Sequence, residues 1–328
     1  MNAILNKLFE HQTLSKEEAK EVLIAMASNA FNEAHMAAFL TVYRMRSITV
    51  DELKGFREAL LELALTVDLS DFNTIDLCGT GGDGKNTFNI STLTSFVVAG
   101  AGYKVAKHGN YSVSSASGSS NMLEYVGYKF TNDESILKRQ LEKANICFLH
   151  APMFHPAMKA VGPVRKKLGM KTFFNMLGPL VNPSSPQNQL VGVFDMSVAR
   201  LYNYLLQESL QNYGVIHALD GYDEISLTSP FKLFTHEGEK SIHPSDLGLE
   251  TISQEAIYGG DSVPEAAKIF KDVLDGNGTK AQNNVVLTNA AFALKTMDAN
   301  LSFEEAFEQS KSSLMGLKAK KTLEILIS

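Results

Sequence analysis

The first cluster of residues that could do chemistry lies at 76–92, where an apolar stretch runs into Gly79, Gly81, Gly82 and Gly84 and then into several hydroxyl residues. Glycines let a main chain approach a ligand closely, and the free N–H groups at a helix start attract anions. The pattern therefore predicts a phosphate-binding loop. The alternative is a glycine-rich connection between a strand and a helix that binds nothing.

The second cluster, at residues 107–120, combines Lys107, His108 and Asn110 with six serines. It again follows an apolar stretch and leads into a predicted helix. Such a density of short hydrogen-bond donors fits an oxygen-rich anionic ligand. For the individual serines, turns and helix caps are the simpler interpretation, whereas Lys107 at the end of a strand favours a functional role.

The third cluster, at residues 151–169, places His155 beside Pro156 at an expected helix start and Arg165 nine residues further along. Proline is well suited to the first turn of a helix, which would leave His155 near its N-cap. The planar guanidinium of Arg165 suits bidentate binding of a carboxylate. A histidine in this position alone is more often a capping residue than a ligand.

The fourth cluster is a predicted turn at residues 220–226 that contains the adjacent acids Asp223 and Glu224. Paired carboxylates on a loop can bind Mg²⁺ together with phosphate oxygens and water. An adjacent Asp-Glu pair in a turn can also occur without binding anything.

These clusters depend on elements that the apolar pattern also predicts. Short apolar runs at 75–77, 103–106, 146–149, 190–194 and 215–219 alternate with helical patterns, as is typical of a mostly parallel sheet flanked by helices. Since ligands of open α/β sheets bind at the carboxyl ends of the strands, we expect the clusters to meet in one site. That site would take a phosphorylated, Mg²⁺-bound donor and an acceptor with a carboxylate.

The remaining segments predict a smaller all-helical part and a helical tail. Capping boxes at 15–18 and 49–52, with Asn32 between them, begin three amphipathic helices. We therefore expect a helical domain at 1–72 and an α/β domain at 73–328, with some later helices packing on the helical domain. Residues 231–235 and 240–242 read as a hairpin, and 262–328 as helices.

The bulk composition excludes several classes of function. The chain of 328 residues carries a formal charge of −6, which argues against a nucleic-acid-binding surface. Its two cysteines cannot form a disulfide framework, and neither a membrane-spanning run nor a signal peptide is evident. We therefore expect a soluble, cytoplasmic protein without nucleic-acid or membrane partners.

In their order and spacing, the motifs closely resemble the anthranilate phosphoribosyltransferase family at residues 76–83, 107–110, 155–159, 163–165, 174–180, 182–183 and 223–224. The resemblance covers essentially the whole chain. It implies an Mg²⁺-dependent pentosyltransferase that joins anthranilate to phosphoribosyl diphosphate in tryptophan biosynthesis, a pathway of aromatic amino acids. It also implies homodimers formed through the helical domain, which would line one side of a cleft, and two Mg²⁺ ions per subunit.

The resemblance further implies roles for individual residues. Contacts with phosphoribosyl diphosphate are implied for Gly79, Gly82, Asp83, Thr87, Asn89, Ser91, Thr92, Lys107 and Ser119. Contacts with anthranilate are implied for Gly79, Asn110, Ala151, Pro152, His155, Met158 and Arg165. Mg²⁺ would be bound by Ser91, Asp223 and Glu224, and the catalytic residues would be Lys107, Asn110 and Arg165.

The chain departs from the usual family pattern in the second cluster. Tyr111 stands where the family usually has Arg, Ala116 often where it has Lys, and Asn121 where it has Asp. The loss of two cationic groups would weaken the attraction of this loop for phosphate.

Two alternatives share the same predicted fold. A nucleoside phosphorylase would also use a Gly/Ser-rich phosphate loop, but it would not need the cluster around Arg165 or the acidic pair. A non-catalytic, nucleic-acid-binding relative would show a basic surface and degraded metal ligands, whereas this chain is acidic and retains Asp223 and Glu224.

Overall fold

The structure, a computed structural model, describes residues 1–112 and 117–328. The chain divides into two compact units, Met1–Thr66 with Ala151–Pro183, and Val67–His150 with Ser184–Ser328. Within the described residues, no helix is both long enough and apolar enough to span a bilayer.

The helices are α1 (Asn2–Phe9), α2 (Lys16–Ala27), α3 (Glu33–Met45), α4 (Val50–Glu62), α5 (Ile90–Gly100), α6 (Ser119–Tyr125), α7 (Glu134–Ala144), α8 (Ala151–Phe154), α9 (Met158–Leu168), α10 (Phe174–Leu177), α11 (Met196–Ser209), α12 (Val263–Leu274), α13 (Lys280–Met297), α14 (Phe303–Met315) and α15 (Lys318–Ile327). The strands are β1 (Thr74–Gly79), β2 (Lys104–Gly109), β3 (Ile146–His150), β4 (Asn188–Gly192), β5 (Asn212–Ala218), β6 (Phe231–Thr235) and β7 (Gly238–Ile242).

The first unit is helical, and its helices begin at the expected caps. The hydroxyl of Ser15 accepts a hydrogen bond from the main-chain N–H of Glu18, and Thr49 does the same for Glu52. These bonds satisfy N–H groups that have no partner within a helix, so they define where α2 and α4 begin.

The first unit also contains Ala151–Pro183, which the predicted domain boundary at residue 72 assigns to the α/β domain. Helix α9 of this segment packs on α2 and α3, and α10 contacts α4. Just before α10, the ring of Phe173 stacks on Phe56 with centroids 4.4 Å apart and meets Phe39 edge-on. These aromatic contacts bury apolar surface that α3 and α4 would otherwise expose, which explains why 151–183 joins this unit.

The second unit is built on a seven-stranded sheet in the order β3-β2-β1-β4-β5-β6-β7. The pairs from β3 to β5 are parallel, and β6 and β7 add an antiparallel hairpin at one edge. The predicted class, a mostly parallel sheet flanked by helices with a smaller helical domain, is therefore confirmed.

Between β1 and β4, the order in which the chain adds strands to the sheet changes from one side to the other. From β1 the chain continues to β2 on one side, whereas β4 lies on the other side and is followed by β5. At such a point the connections leave in opposite directions and open a crevice at the carboxyl ends of the two strands. Here those ends are Gly79 and Gly192, which pair with each other.

Candidate active site

The loop after β1 has a main-chain conformation that requires glycine. Gly81, Gly82 and Gly84 all have positive φ angles, of 66°, 76° and 74°. Side chains with a Cβ are strained in this region, so the glycines permit a tight loop directly at the end of β1. The N–H of Gly81 donates a hydrogen bond to Oδ2 of Asp223 at 2.6 Å, which joins the first and fourth clusters.

The close approach of Asp223 also depends on two glycines at the strand ends. A Cβ added to Gly79 would lie 2.3 Å from Oδ2 of Asp223, and one added to Gly192 would lie 1.5 Å from the main-chain oxygen of Asp223. Only residues without a Cβ leave this space. Gly192 was not among the residues predicted for the site, because it lies outside every motif.

The segment that leads into α5 contacts the second acid of the pair. The hydroxyl of Thr87, just before α5, donates to Oε2 of Glu224 at 3.3 Å, and Ser91, the second residue of α5, lines the same small cavity as Glu224. Nearby, Nδ2 of Asn89 donates to the main-chain oxygen of Ser117, and Thr92 is buried in α5. The glycine loop (79–84), the residues that lead into α5 and the acidic pair Asp223–Glu224 therefore contact one another at the strand ends.

The acidic side chains at this site repel one another. Burial raises the pKa of Asp223, and the nearby charge of Asp83 raises it further. Burial also raises the pKa of Glu224, with further contributions from Asp223 and then Asp83. The charged forms of these carboxylates are therefore costly unless a cation lies beside them.

These residues fit a hard divalent cation such as Mg²⁺, because they present carboxylate and hydroxyl oxygens in a cluster of excess negative charge. Among the described residues, however, no group of three or more His, Cys, Asp or Glu side chains could hold a metal alone. The remaining ligands would have to come from the hydroxyl of Ser91, from water and from oxygens of a substrate. This donor set suits a cation that arrives with a phosphorylated ligand.

Lys107 lies within β2, which extends to Gly109 and therefore beyond the predicted apolar run at 103–106. The strand continues to Gly109 because β3 pairs with it as far as His150. The Nζ of Lys107 donates to the main-chain oxygen of Leu77 and lies 3.5 Å from Oγ of Ser91. Burial lowers its pKa, an effect that Asp76 partly offsets. Lys107 thus places a buried amino group beside the start of α5.

The described part of the second cluster is organised by short hydrogen bonds. The main-chain oxygen of Asn110 accepts from Oγ of Ser119 at 3.3 Å. Oδ1 of Asn121 accepts from the N–H groups of Ser112 and Gly118, both at 3.0 Å. This bonding needs only an acceptor oxygen, so Asn121 can take the place of the Asp that the family usually has.

The ring of Tyr111 meets His150 edge-on at 5.0 Å instead of presenting a cation to the loop. Ala116, the other departure from the family pattern, lies outside the described residues.

The residues predicted to bind anthranilate include five that lie in the first unit. Ala151 and Pro152 begin α8, His155 follows it, and Met158 is the first residue of α9. The prediction that Pro156 opens this helix is wrong. The N–H of Met158 donates to the main-chain oxygen of His155, which closes a turn before α9 begins. Burial lowers the pKa of His155 to about 4, so its ring is neutral near pH 7.

Arg165 lies in the last turn of α9, and its side chain is partly buried. Its guanidinium lies 5.2 Å from the ring centre of Phe174, and its Nη2 donates to Oδ1 of Asn175 at 3.4 Å. Burial lowers the pKa of Arg165, and among the described residues no carboxylate forms an ion pair with it. The geometry leaves its positive charge without a neutralising anion, as a carboxylate-binding residue requires.

The fold and the site together define a glycosyltransferase with a helical bundle domain and an α/β domain. The family model described as "glycosyl transferase family, helical bundle domain" matches residues 2–64, and the one described as "glycosyl transferase family, a/b domain" matches residues 71–319.

More closely related proteins narrow this class. An anthranilate phosphoribosyltransferase of Flavobacterium johnsoniae is 60% identical over 326 residues, which cover 99% of this chain and 98% of that protein. One of Bacteroides fragilis is 51% identical over 98% of both chains. This chain belongs to the anthranilate phosphoribosyltransferase family, and the resemblance noted in the sequence is confirmed.

Solved structures of the family have the same fold. The anthranilate phosphoribosyltransferase of Thermus thermophilus superposes with a TM-score of 0.91 at 30% identity, covering 98% of both chains. The Saccharomyces cerevisiae enzyme in complex with PRPP and Mg superposes with a TM-score of 0.90 at 26% identity, covering 98% of this chain and 95% of that one. The yeast enzyme in complex with 4-fluoroanthranilate gives 0.87 at 25% identity, with the same coverage.

Proposed function

We propose that this protein transfers the phosphoribosyl group of phosphoribosyl diphosphate to the amine of anthranilate and releases diphosphate, a step of tryptophan biosynthesis. The observation that carries the proposal is the joining of the acidic pair to the glycine loop and to the residues just before α5, through the hydrogen bonds from Gly81 to Asp223 and from Thr87 to Glu224. This arrangement brings metal-binding oxygens and anion-binding N–H groups together at the strand ends. The names of the closely related proteins support the same activity.

For the donor, we propose contacts with Gly79, Gly82, Asp83, Thr87, Asn89, Ser91, Thr92, Lys107 and Ser119. Ser91, Asp223 and Glu224 would bind Mg²⁺, a use of the metal that the Mg bound with PRPP in the yeast relative supports. Two ions per subunit are part of the proposal. When bound, Mg²⁺ would supply positive charge that offsets the charge of the diphosphate. The buried ammonium of Lys107 and the N–H groups of the glycine loop stabilise the same developing negative charge, in surroundings where water screens it little.

For the acceptor, we propose contacts with Gly79, Asn110, Ala151, Pro152, His155, Met158 and Arg165. Arg165 binds the carboxylate, and Asn110 helps to orient the ring so that the amine meets the anomeric carbon. The carbon–oxygen bond to diphosphate breaks, the carbon–nitrogen bond forms, and the amine releases one proton. Orientation of the two substrates is the main contribution of these residues, because it replaces a random encounter by a fixed geometry.

The proposal also includes the assembly and location of the enzyme. We propose a homodimer formed through the helical domain at 1–72 and a cytoplasmic location, with the two small-molecule substrates as the main partners.

The decisive experiment incubates the protein with Mg²⁺, phosphoribosyl diphosphate and anthranilate and follows the fluorescence of anthranilate. We expect the fluorescence to fall only when all components are present, with one diphosphate released per anthranilate consumed. Phosphorolysis of thymidine or uridine without consumption of anthranilate would favour a nucleoside phosphorylase instead.

A further inference from the structure

A buried asparagine of helix α13 bonds directly to the loop that carries the acidic pair. Asn289 has only 6% of its surface exposed. Its Nδ2 donates to the main-chain oxygen of Ile225 at 2.9 Å, and its Oδ1 accepts from the N–H of Ile225 at 3.1 Å. The side-chain amide thus pairs with both main-chain groups of one residue, as a neighbouring strand would.

Ile225 immediately follows Glu224, so this pairing fixes the peptide next to the acidic pair. The same Nδ2 also donates to the main-chain oxygen of Val285 at 2.8 Å, one turn earlier in α13. Because α13 packs against α5, β4 and β5, the amide of Asn289 is anchored to the core of the second unit. A small cavity in that core is lined by Asn289 together with Ser91, Asp223 and Glu224.

Other contacts fix the two ends of the same loop. The carboxylate of Asp220 accepts from Oγ1 of Thr228 at 2.6 Å and from Oγ of Ser229 at 2.7 Å, which closes the base of the loop. The main chain of Asp223 lies against Gly192, where a Cβ would not fit. Between these contacts, Asn289 holds the residue that follows the pair.

We propose that Asn289 is a positioning residue that holds the carboxylates of Asp223 and Glu224 in the orientation needed to bind a divalent cation. The proposal rests on the proposed function of the acidic pair. Two buried carboxylates that repel each other tend to turn apart, and a fixed peptide after Glu224 opposes that motion. Groups that orient metal ligands in this way commonly affect metal affinity about 10- to 100-fold.

The test compares Asn289→Leu with Asn188→Leu. Asn188 is likewise a buried asparagine, and its amide donates to a main-chain and a side-chain oxygen. It is the first residue of β4, at the opposite end of that strand from Gly192. Both changes remove buried hydrogen bonds, so both are expected to lower the melting temperature. Only the change at Asn289 is expected to weaken cation binding.

Cation binding is measured by electron paramagnetic resonance of Mn²⁺ with inorganic diphosphate present, and hydrogen exchange of the Ile225 amide is measured without metal. For Asn289→Leu we expect Mn²⁺ to bind about 10-fold more weakly and the Ile225 amide to exchange faster. The Mg²⁺ concentration for half-maximal activity should rise about as much, with the KM for anthranilate unchanged within about 2-fold. Asn188→Leu should leave Mn²⁺ binding and the Ile225 amide unchanged.

Equal Mn²⁺ affinity in the wild type and Asn289→Leu would overturn the proposal and leave Asn289 with a purely structural role. If Asn289→Leu does not fold, the smaller change Asn289→Ser, compared with Asn188→Ser, decides the matter by the same two measurements. Failure of the proposed function would show itself differently, as a wild-type protein that does not consume anthranilate, whereas the Mn²⁺ and exchange measurements do not depend on turnover.

Discussion

Replacement of Arg165 by glutamine should separate substrate binding from stability. The guanidinium of Arg165 is partly buried beside Phe174 and has no carboxylate partner among the described residues. A carboxylate bound there would form charge-assisted hydrogen bonds worth about 3 kcal/mol, which corresponds to a factor of about 100 in affinity. We therefore expect Arg165→Gln to raise the KM for anthranilate about 100-fold and to leave the KM for phosphoribosyl diphosphate almost unchanged.

The same change should cost little stability. The hydrogen bond from Arg165 to Oδ1 of Asn175 is long, at 3.4 Å, and that oxygen also accepts from the N–H of Thr172 at 3.2 Å, so Asn175 keeps a partner. Removal of a partly buried cation without an ion pair offsets the lost contact. The melting temperature of Arg165→Gln should therefore equal or exceed that of the wild type.

The assay is steady-state consumption of anthranilate followed by fluorescence, with thermal unfolding measured on the same samples. Lys166→Gln is the matched control, because Lys166 is the next residue of α9 and is exposed. The control should change neither KM nor the melting temperature. An unchanged anthranilate KM in Arg165→Gln would refute the assignment of Arg165 to carboxylate binding.

Three further predictions concern charged and titratable groups. Asp223→Asn combined with Glu224→Gln should abolish Mg²⁺-dependent turnover, and retained turnover would refute the metal assignment. The melting temperature without metal should stay the same or rise, because the change replaces two carboxylates whose pKa values are raised by burial with neutral amides. Burial lowers the pKa of His155 from 6.5 to about 4, so as the pH falls the unfolded chain protonates this imidazole before the folded protein does. The stability that comes from the neutral His155 is therefore present above pH 6.5 and is lost as the pH falls towards 4. The free energy of unfolding, measured with urea, should therefore decrease less between pH 6.5 and 4 in His155→Leu than in the wild type. An identical pH dependence in the two proteins would contradict the lowered pKa of His155. Finally, Glu52 is fully buried, and both its oxygens accept from the guanidinium of Arg46. Glu52→Ala should lower the free energy of unfolding by about 3 kcal/mol, because it leaves Arg46 without its partner, and a loss below about 1 kcal/mol would contradict this role.

The sequence was sufficient to predict those parts of the fold that depend on interactions between residues close together in the chain. The capping boxes at Ser15 and Thr49 place the starts of α2 and α4, because a cap bonds to residues only three positions away. The alternation of apolar runs and helical patterns predicted the parallel sheet, and the rule that ligands bind at strand ends predicted the contacts among the first, second and fourth clusters.

Features that depend on distant partners were not predictable in this way. Lys107 lies inside a strand because β3 continues to pair with β2, and nothing near Lys107 in the sequence indicates that length. Gly192 and Asn289 matter only through their contacts with Asp223 and Ile225, and each is a single residue outside any motif. Only the folded chain reveals such pairs.

The aromatic cluster of the first unit has a consequence for the order in which the protein can fold during synthesis. Phe39 and Phe56 leave the ribosome early, but Phe173, which stacks on Phe56, emerges only after β1, β2 and β3. The N-terminal helices therefore remain incomplete while the first half of the sheet is being made, although nascent domains generally fold as units. A fragment that ends at residue 66 would expose the faces of α3 and α4 that Phe173 covers and would be prone to aggregate.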